Sequence, residues 1–212
     1  MSAPFGTLAD HLPELASALA DLGRQSAVVE RWGHRLAGVF ARDGRLLAAG
    51  NGGSAAEAQH LTAELVGRFE RERRPLSALA LHAETSSVTA IGNDYGYDAV
   101  FARQVLAHGR PGDVLLLLTT SGRSPNLLSA AGAARQAGIA VWALTGALPN
   151  PLAGLADETV SVASDSVSAV QEAHLVAVHA LVAAVERHLP PAGQAARPLE
   201  QPIDLRVPAE VR

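Results

Sequence analysis

Four stretches of the chain hold residue types that could do chemistry. Gly50-Asn51-Gly52-Gly53-Ser54 and Thr119-Thr120-Ser121-Gly122-Arg123-Ser124-Pro125-Asn126 each follow a short apolar run. In the second, Ser124 ahead of Pro125 reads as an N-cap with proline at the first helical position, so a helix starts there. Thr119, Thr120, Ser121 and Ser124 then set hydroxyls beside free backbone N–H groups at the positive end of a helix dipole, a pocket that suits a phosphate dianion without any lysine. The alternative is a turn that only caps a helix, although one cap uses one hydroxyl. In the first stretch Gly50, Gly52 and Ala55 satisfy a G-x-G-x-x-A dinucleotide pattern. The acidic residue expected about 20 positions on is missing, because the next apolar run ends near Leu81, about 30 residues on.

The other two stretches carry histidines. His60 and Glu64 stand four apart on the helix opened by Ser54 and share one face, either as a metal-ligand pair with Glu64 available as a base, or as a casual surface pair. Gln171, Glu172, His174 and His179 interrupt an otherwise apolar segment, where polar groups are costly to bury without partners. His11, His34, His82, His108 and His188 read as ordinary core or surface histidines.

The inventory excludes much. All 17 basic residues are arginine and there is no cysteine. Schiff-base chemistry, a phosphate-loop lysine, thiolate nucleophiles, disulfides and cysteine-ligated metals are therefore absent, and a zinc ion would need nitrogen and oxygen ligands. A net charge of −4 with 4% aromatics offers neither the positive field nor the stacking platforms of a nucleic-acid binder. Four arginines within Arg68 to Arg74 could draw in an anionic substrate or form a solvated turn. With 48% hydrophobic residues the chain can bury a sizeable core. Its longest apolar run, Val114 to Leu118, is too short to cross a bilayer and the N-terminus lacks a signal pattern, so no membrane partner and a cytoplasmic location are expected.

Positioning these residues requires a scaffold. Leu8, Leu12, Leu15, Leu19 and Leu22 repeat at spacings of four and three, a helix that packs either into its own core or against another subunit. Pro13 places its start near Leu12. A second helix, about Gln25 to Arg42, carries Val28, Trp32, Leu36, Val39 and Phe40 on one side. Short apolar runs then alternate with helical patterns: Leu46–Ala49, Ala78–Leu81, Val114–Leu118, Val141–Leu144 and Thr159–Val162. That texture predicts an α/β fold, a three-layer α/β/α sandwich over a five-stranded parallel sheet, with ligands beyond the carboxyl ends of the strands. A last helix spans about Val167 to His188. Residues 1–189 form one domain, 1–43 being N-terminal helices and 44–189 the α/β core, and the proline-rich 190–212 form a tail.

Taken in order, Gly50 to Ser54 continuing to Ala58-Gln59-His60-Leu61-Thr62-Ala63-Glu64-Leu65, then Ala90-Ile91-Gly92-Asn93-Asp94-Tyr95-Gly96-Tyr97-Asp98, Thr120-Ser121-Gly122, and Gln171-Glu172-Ala173-His174 with His179 resemble the phosphoheptose isomerase family, whose members share the sugar-isomerase (SIS) fold. The resemblance covers nearly the whole chain except the tail. It implies interconversion of sedoheptulose 7-phosphate and D-glycero-D-manno-heptose 7-phosphate through an enediol, with Glu64 as base and His179 as partner acid. It further implies one zinc per subunit on His60, Glu64, Gln171 and His179, and substrate contacts from Asn51, Gly52, Gly53, Ser54, Glu64, Asn93, Asp94, Thr119, Thr120, Ser121, Ser124 and Gln171. Gln171 and His179 would lie about 12 Å apart along a regular helix, so a shared metal needs an irregular first turn or ligands from two subunits. The family's homotetramer, with sites at its interfaces, agrees with the second option. Val167-Ser168-Ala169-Val170 departs from the family's usual Thr-Ala-Arg-Ile. Two other readings stay open: an isomerase of another sugar phosphate, and a protein-binding platform like the replication-initiation regulator of the same fold, which lacks the glutamate and the final histidine.

Overall fold

The structure, a computed structural model, describes residues 6–189; the expected proline-rich tail lies outside the described residues. Five parallel strands form one sheet in the order β2-β1-β3-β4-β5: β1 (Leu46–Ala49), β2 (Ala78–Ala80), β3 (Val114–Thr119), β4 (Ala140–Thr145) and β5 (Glu158–Ser161). All of β1 and β3 is buried, as the uninterrupted apolar runs require of strands covered on both faces. Alternate residues serve opposite faces. Leu46, Ala48, Val114, Leu116, Leu118, Trp142 and Leu144 join one core cluster; Leu47, Ala49, Leu115, Leu117, Val141 and Ala143 join the other.

The first cluster is covered by α1 (Leu8–Gly23), α2 (Ser26–Ala41), α3 (Gly53–Val66) and α7 (Val167–His188), the second by α4 (Thr85–Tyr95), α5 (Val100–His108) and α6 (Pro125–Gln136). Trp32 of α2 stacks on Trp142 of β4 with ring centroids 4.8 Å apart and an 8° interplanar angle, joining helix layer to sheet. Among the described residues only α7 is long and apolar enough to cross a membrane, and half of its apolar stretch is buried in the protein core.

The first helix begins at Leu8 rather than near Leu12. Thr7 and Asp10 form a reciprocal capping box, the Thr7 backbone N–H donating to Asp10 at 3.0 Å and the Asp10 N–H to the Thr7 hydroxyl at 3.3 Å, which fixes the start one turn ahead of Pro13. Of its five leucines only Leu22 is buried. Leu8 and Leu12 are 66% and 54% exposed, while His11, Ala18 and Leu22 face the core.

The strand order reverses direction between β1 and β3, the switch point at which open parallel sheets place their ligands. Ala49 and Leu117 are in register there, so the loops after these two strands emerge side by side.

Candidate functional site

The two loops face each other across that switch point. Gly52, with φ +57°, is the N-cap of α3, a backbone conformation that favours glycine and turns the chain from strand into helix within three residues. Asn51 and buried Asn126 exchange side-chain amide hydrogen bonds of 3.0 and 2.9 Å, closing a ring that fixes one loop against the other. The Tyr97 hydroxyl donates to Asn51 Oδ1 at 3.3 Å. Asn51 therefore acts first as a clamp. Asn126 and Tyr97 both lie inside motifs singled out in the sequence, but nothing in one sequence signals this pairing.

Between the loops is a polar cavity of about 130 Å³, lined by Asn51, Ser54, Leu118, Thr119, Thr120, Ser121, Ser124 and Gln171. The sequence-predicted hydroxyls thus converge. Thr119 is committed to the loop itself, its Oγ1 accepting from the N–H groups of Ser121 (3.3 Å) and Gly122 (3.2 Å). Ser124 is the N-cap residue of α6 with Pro125 following, yet its side chain makes no capping bond, so its hydroxyl faces the cavity uncommitted. Gly53 is required by close approach: a Cβ there would meet the Gln171 amide at 2.5 Å. This contact brings α7 against the start of α3 and completes the cavity wall. Hydroxyls, a helix N-terminus and an amide, with no carboxylate, make an anion pocket.

About two turns further along the same two helices lies a second cluster. His60 Nε2 is 2.9 Å from His179 Nε2 and 3.6 Å from Glu64 Oε1. One imidazole donates and the other accepts, so the two rings hold complementary tautomers. Phe69 stacks on the His179 ring at 5.6 Å. Phe69 is itself held by a buried device: Glu186 of α7 accepts from the backbone N–H groups of Phe69, Glu70 and Arg71, and from Arg73 Nε at 3.1 Å. The same Arg73 guanidinium donates to the carbonyls of Glu64, Leu65 and Gly67, closing the end of α3. Arg74 reaches the Phe40 carbonyl. Two of the four clustered arginines are thus structural rather than substrate-steering.

As metal ligands the predicted residues divide. The donors His60, Glu64 and His179 are of the type zinc takes and are adjacent, although no group of three such side chains among the described residues is arranged around one point. Gln171 is not brought to them. The last helix is regular from Val167, so Gln171 stands about 12 Å along its axis from His179 and serves the anion cavity instead. The irregular first turn is thereby excluded. Asn93 and Asp94 are exposed on α4, a helix without a buried residue, and bond to each other at 2.8 Å; neither lines the cavity.

Between the two clusters lie two buried titratable groups: Glu57, which the sequence did not mark, and His174, which it singled out as a costly polar residue without giving it a role. Burial pushes the Glu57 carboxyl up to about 8. Burial also pulls His174 down to about 4, outweighing the opposing effect of its bond to the Thr145 carbonyl.

A family model for the SIS domain matches residues 11–146. A phosphoheptose isomerase of Streptomyces coelicolor is 63% identical over 179 residues, spanning 84% of this chain and 78% of that protein. One from Bradyrhizobium is 44% identical over 185 residues, spanning 86% and 93%. The solved phosphoheptose isomerase of Neisseria gonorrhoeae superposes with a TM-score of 0.78 at 37% identity, covering 85% of this chain and 97% of that one. That of Francisella tularensis gives 0.76 at 34%, covering 86% and 100%.

Proposed function

Because the chain belongs to the SIS-domain family and, within it, to the phosphoheptose isomerases, we infer that it is an aldose–ketose isomerase that interconverts D-sedoheptulose 7-phosphate and D-glycero-D-manno-heptose 7-phosphate. The observation that carries this for the chain itself is the division of labour along α3 and α7: an anion cavity at one end of the helix pair and a base with two imidazoles at the other. Gly53 and His60 are separated by about 10 Å of helix rise, and a seven-carbon sugar with a terminal phosphate extends over a comparable length.

The terminal phosphate sits among Ser54, Thr120, Ser121, Ser124 and the first N–H groups of α6, with Thr119 and Asn51 holding the loops and Gly52 and Gly53 letting the ligand approach the backbone. Glu64 takes the carbon-bound proton of one tautomer and returns it to the neighbouring carbon, C1 or C2, across a cis-enediol. His179, fixed by His60 and Phe69, shuttles the proton between the two oxygens. Zinc on His60, Glu64 and His179, one ion per subunit, would supply positive charge to stabilise the enediolate. Gln171 could reach such a centre only from another copy of the chain. That distance, the exposed Leu8 and Leu12, and an α4 without buried residues all support a homotetramer with sites at its interfaces, where Asn93 and Asp94 of one subunit meet the substrate of another. We place the reaction in the cytoplasm.

Proton NMR of the zinc-reconstituted protein with sedoheptulose 7-phosphate in D₂O tests the reading: deuterium enters at C1 or C2 as the aldose appears. A folded, oligomeric protein that exchanges no proton would overturn it. Light scattering should return four times 21.9 kDa, and a monomer would remove the shared site.

A further inference from the structure

Glu57 and His174 face each other in the interior between the anion cavity and the His60–His179 cluster. On α3, Glu57 follows Gly53 by four residues and precedes His60 by three; on α7, His174 follows Gln171 by three and precedes His179 by five. The helices thus meet in three polar rungs, Gly53 with Gln171, Glu57 with His174, and His60 with His179. The outer rungs belong to the site. The middle one is wholly inside: His174 is 0% exposed and Glu57 8%.

Glu57 Oε2 and His174 Nδ1 are both buried without a hydrogen-bond partner, and they lie 3.9 Å apart. His174 Nε2 is 3.2 Å from the Thr145 carbonyl, which can only accept, so Nε2 carries the ring proton and Nδ1 of the neutral ring is an acceptor. A protonated carboxyl is the one form of Glu57 able to donate to it. Two buried orphans cost free energy if left apart and offset each other if joined, by a shift of about 1 Å or through one water. Thr145 ends β4, and the Gly146 N–H that follows donates to the Thr119 carbonyl at 3.2 Å. The rung therefore connects both site-bearing helices to the floor of the anion loop.

We propose that Glu57, as a neutral acid, donates a hydrogen bond to His174 Nδ1, and that this buried pair is a positioning element which sets the register of the Glu64 helix against the His179 helix. Neither residue touches substrate. This rests on the isomerase reading for its kinetic consequence but not for its geometry. Burial that keeps the carboxyl protonated near neutral pH and the imidazole uncharged is the electrostatic state the pair requires.

Two variants and one spectrum test it. Glu57→Gln keeps a donor without a charge, and Glu57→Leu keeps the volume without a donor. Leucine should lower kcat by about tenfold or more with KM nearly unchanged, the scale of a small misplacement of reacting groups, whereas glutamine should restore most of the rate. Wild-type kcat in the leucine variant, or glutamine as slow as leucine, overturns the proposal. Independently of turnover, long-range ¹H–¹⁵N spectra of the wild-type protein should show His174 Nδ1 as an unprotonated, hydrogen-bonded nitrogen, and Glu57→Leu should move it to the position of a free one. A free nitrogen in the wild type overturns the pair even if the leucine variant does not fold. If the wild type turns over no heptose phosphate, the isomerase reading fails and the spectrum still judges the pair.

Discussion

The anion cavity and the histidine–glutamate cluster are built by different means. The cavity sits on the ends of two adjacent strands in register, and its donors are largely backbone groups and short hydroxyls whose positions follow from the sheet. The cluster hangs on helix faces by long side chains, with His60 41% and Glu64 22% exposed, and is steadied from behind by Phe69, Glu186 and Arg73. Strand ends thus give a nearly finished ligand site within one chain. Helix faces give reactive groups that still need clamps, and in the proposed tetramer Gln171 and the exposed α4 would call on a second subunit as well.

The sharpest way to separate the two is Glu64→Gln. The side chain makes no structural bond beyond its contact with His60, and it is the backbone carbonyl that Arg73 holds, so folding is preserved. Turnover should fall by about two orders of magnitude or more with little change in KM, as expected on losing a general base. Steady-state kinetics with circular dichroism checks both halves. The mirror experiment is Ser121→Ala, which removes one hydroxyl from the cavity and should raise KM about tenfold, the value of a hydrogen bond to a charged group, while kcat holds. Equal effects of the two variants on kcat would erase the distinction.

A third effect, on stability rather than on rate or binding, lies between the two sites. Folded Glu57 titrates near 8 against 4.5 for the free group, so between these values the native state holds the extra proton and stability falls as pH rises. His174 works the other way, titrating near 4 in the fold against 6.5, so its contribution is lost as pH falls from 6.5 to 4. From 4.5 to 6.5 the two cancel. From 6.5 to 8 only Glu57 remains, and the wild type should lose about 2 kcal/mol relative to Glu57→Gln over that window, read from urea unfolding at the two pH values.

What the sequence disclosed follows the same division. The five strands were legible because buried parallel strands must be continuously apolar, and the hydroxyl loop because Ser124-Pro125 marks a helix start. The start of the first helix was misplaced, since Pro13 is an obvious break whereas the Thr7–Asp10 capping box that overrides it depends on a side-chain conformation. The cavity residues were identified largely as a set. The proposed metal set was not resolved: only the continuous helix at Val167 reveals that Gln171 belongs to the cavity of its own chain. Glu57 and His174 escaped notice as a pair because they lie 117 positions apart, and although His174 stands in the Gln171–His174 motif nothing local marks Glu57 as its partner. Asn126 and Tyr97 needed the meeting of two loops.

The stacked pair Trp32–Trp142 has a practical consequence. These are the only two indoles in the chain, both 1% exposed or less, and they sit at the junction of α2 with the middle of β4. Tryptophan fluorescence therefore reports one locus, and near-ultraviolet circular dichroism should carry a strong signal from two closely stacked, nearly parallel indoles. Both should collapse together on denaturation and stay silent when sugar phosphate is added. The protein carries its own optical gauge of core integrity, cleanly separated from the chemistry, so a variant that loses turnover without changing this signal has lost function and not fold.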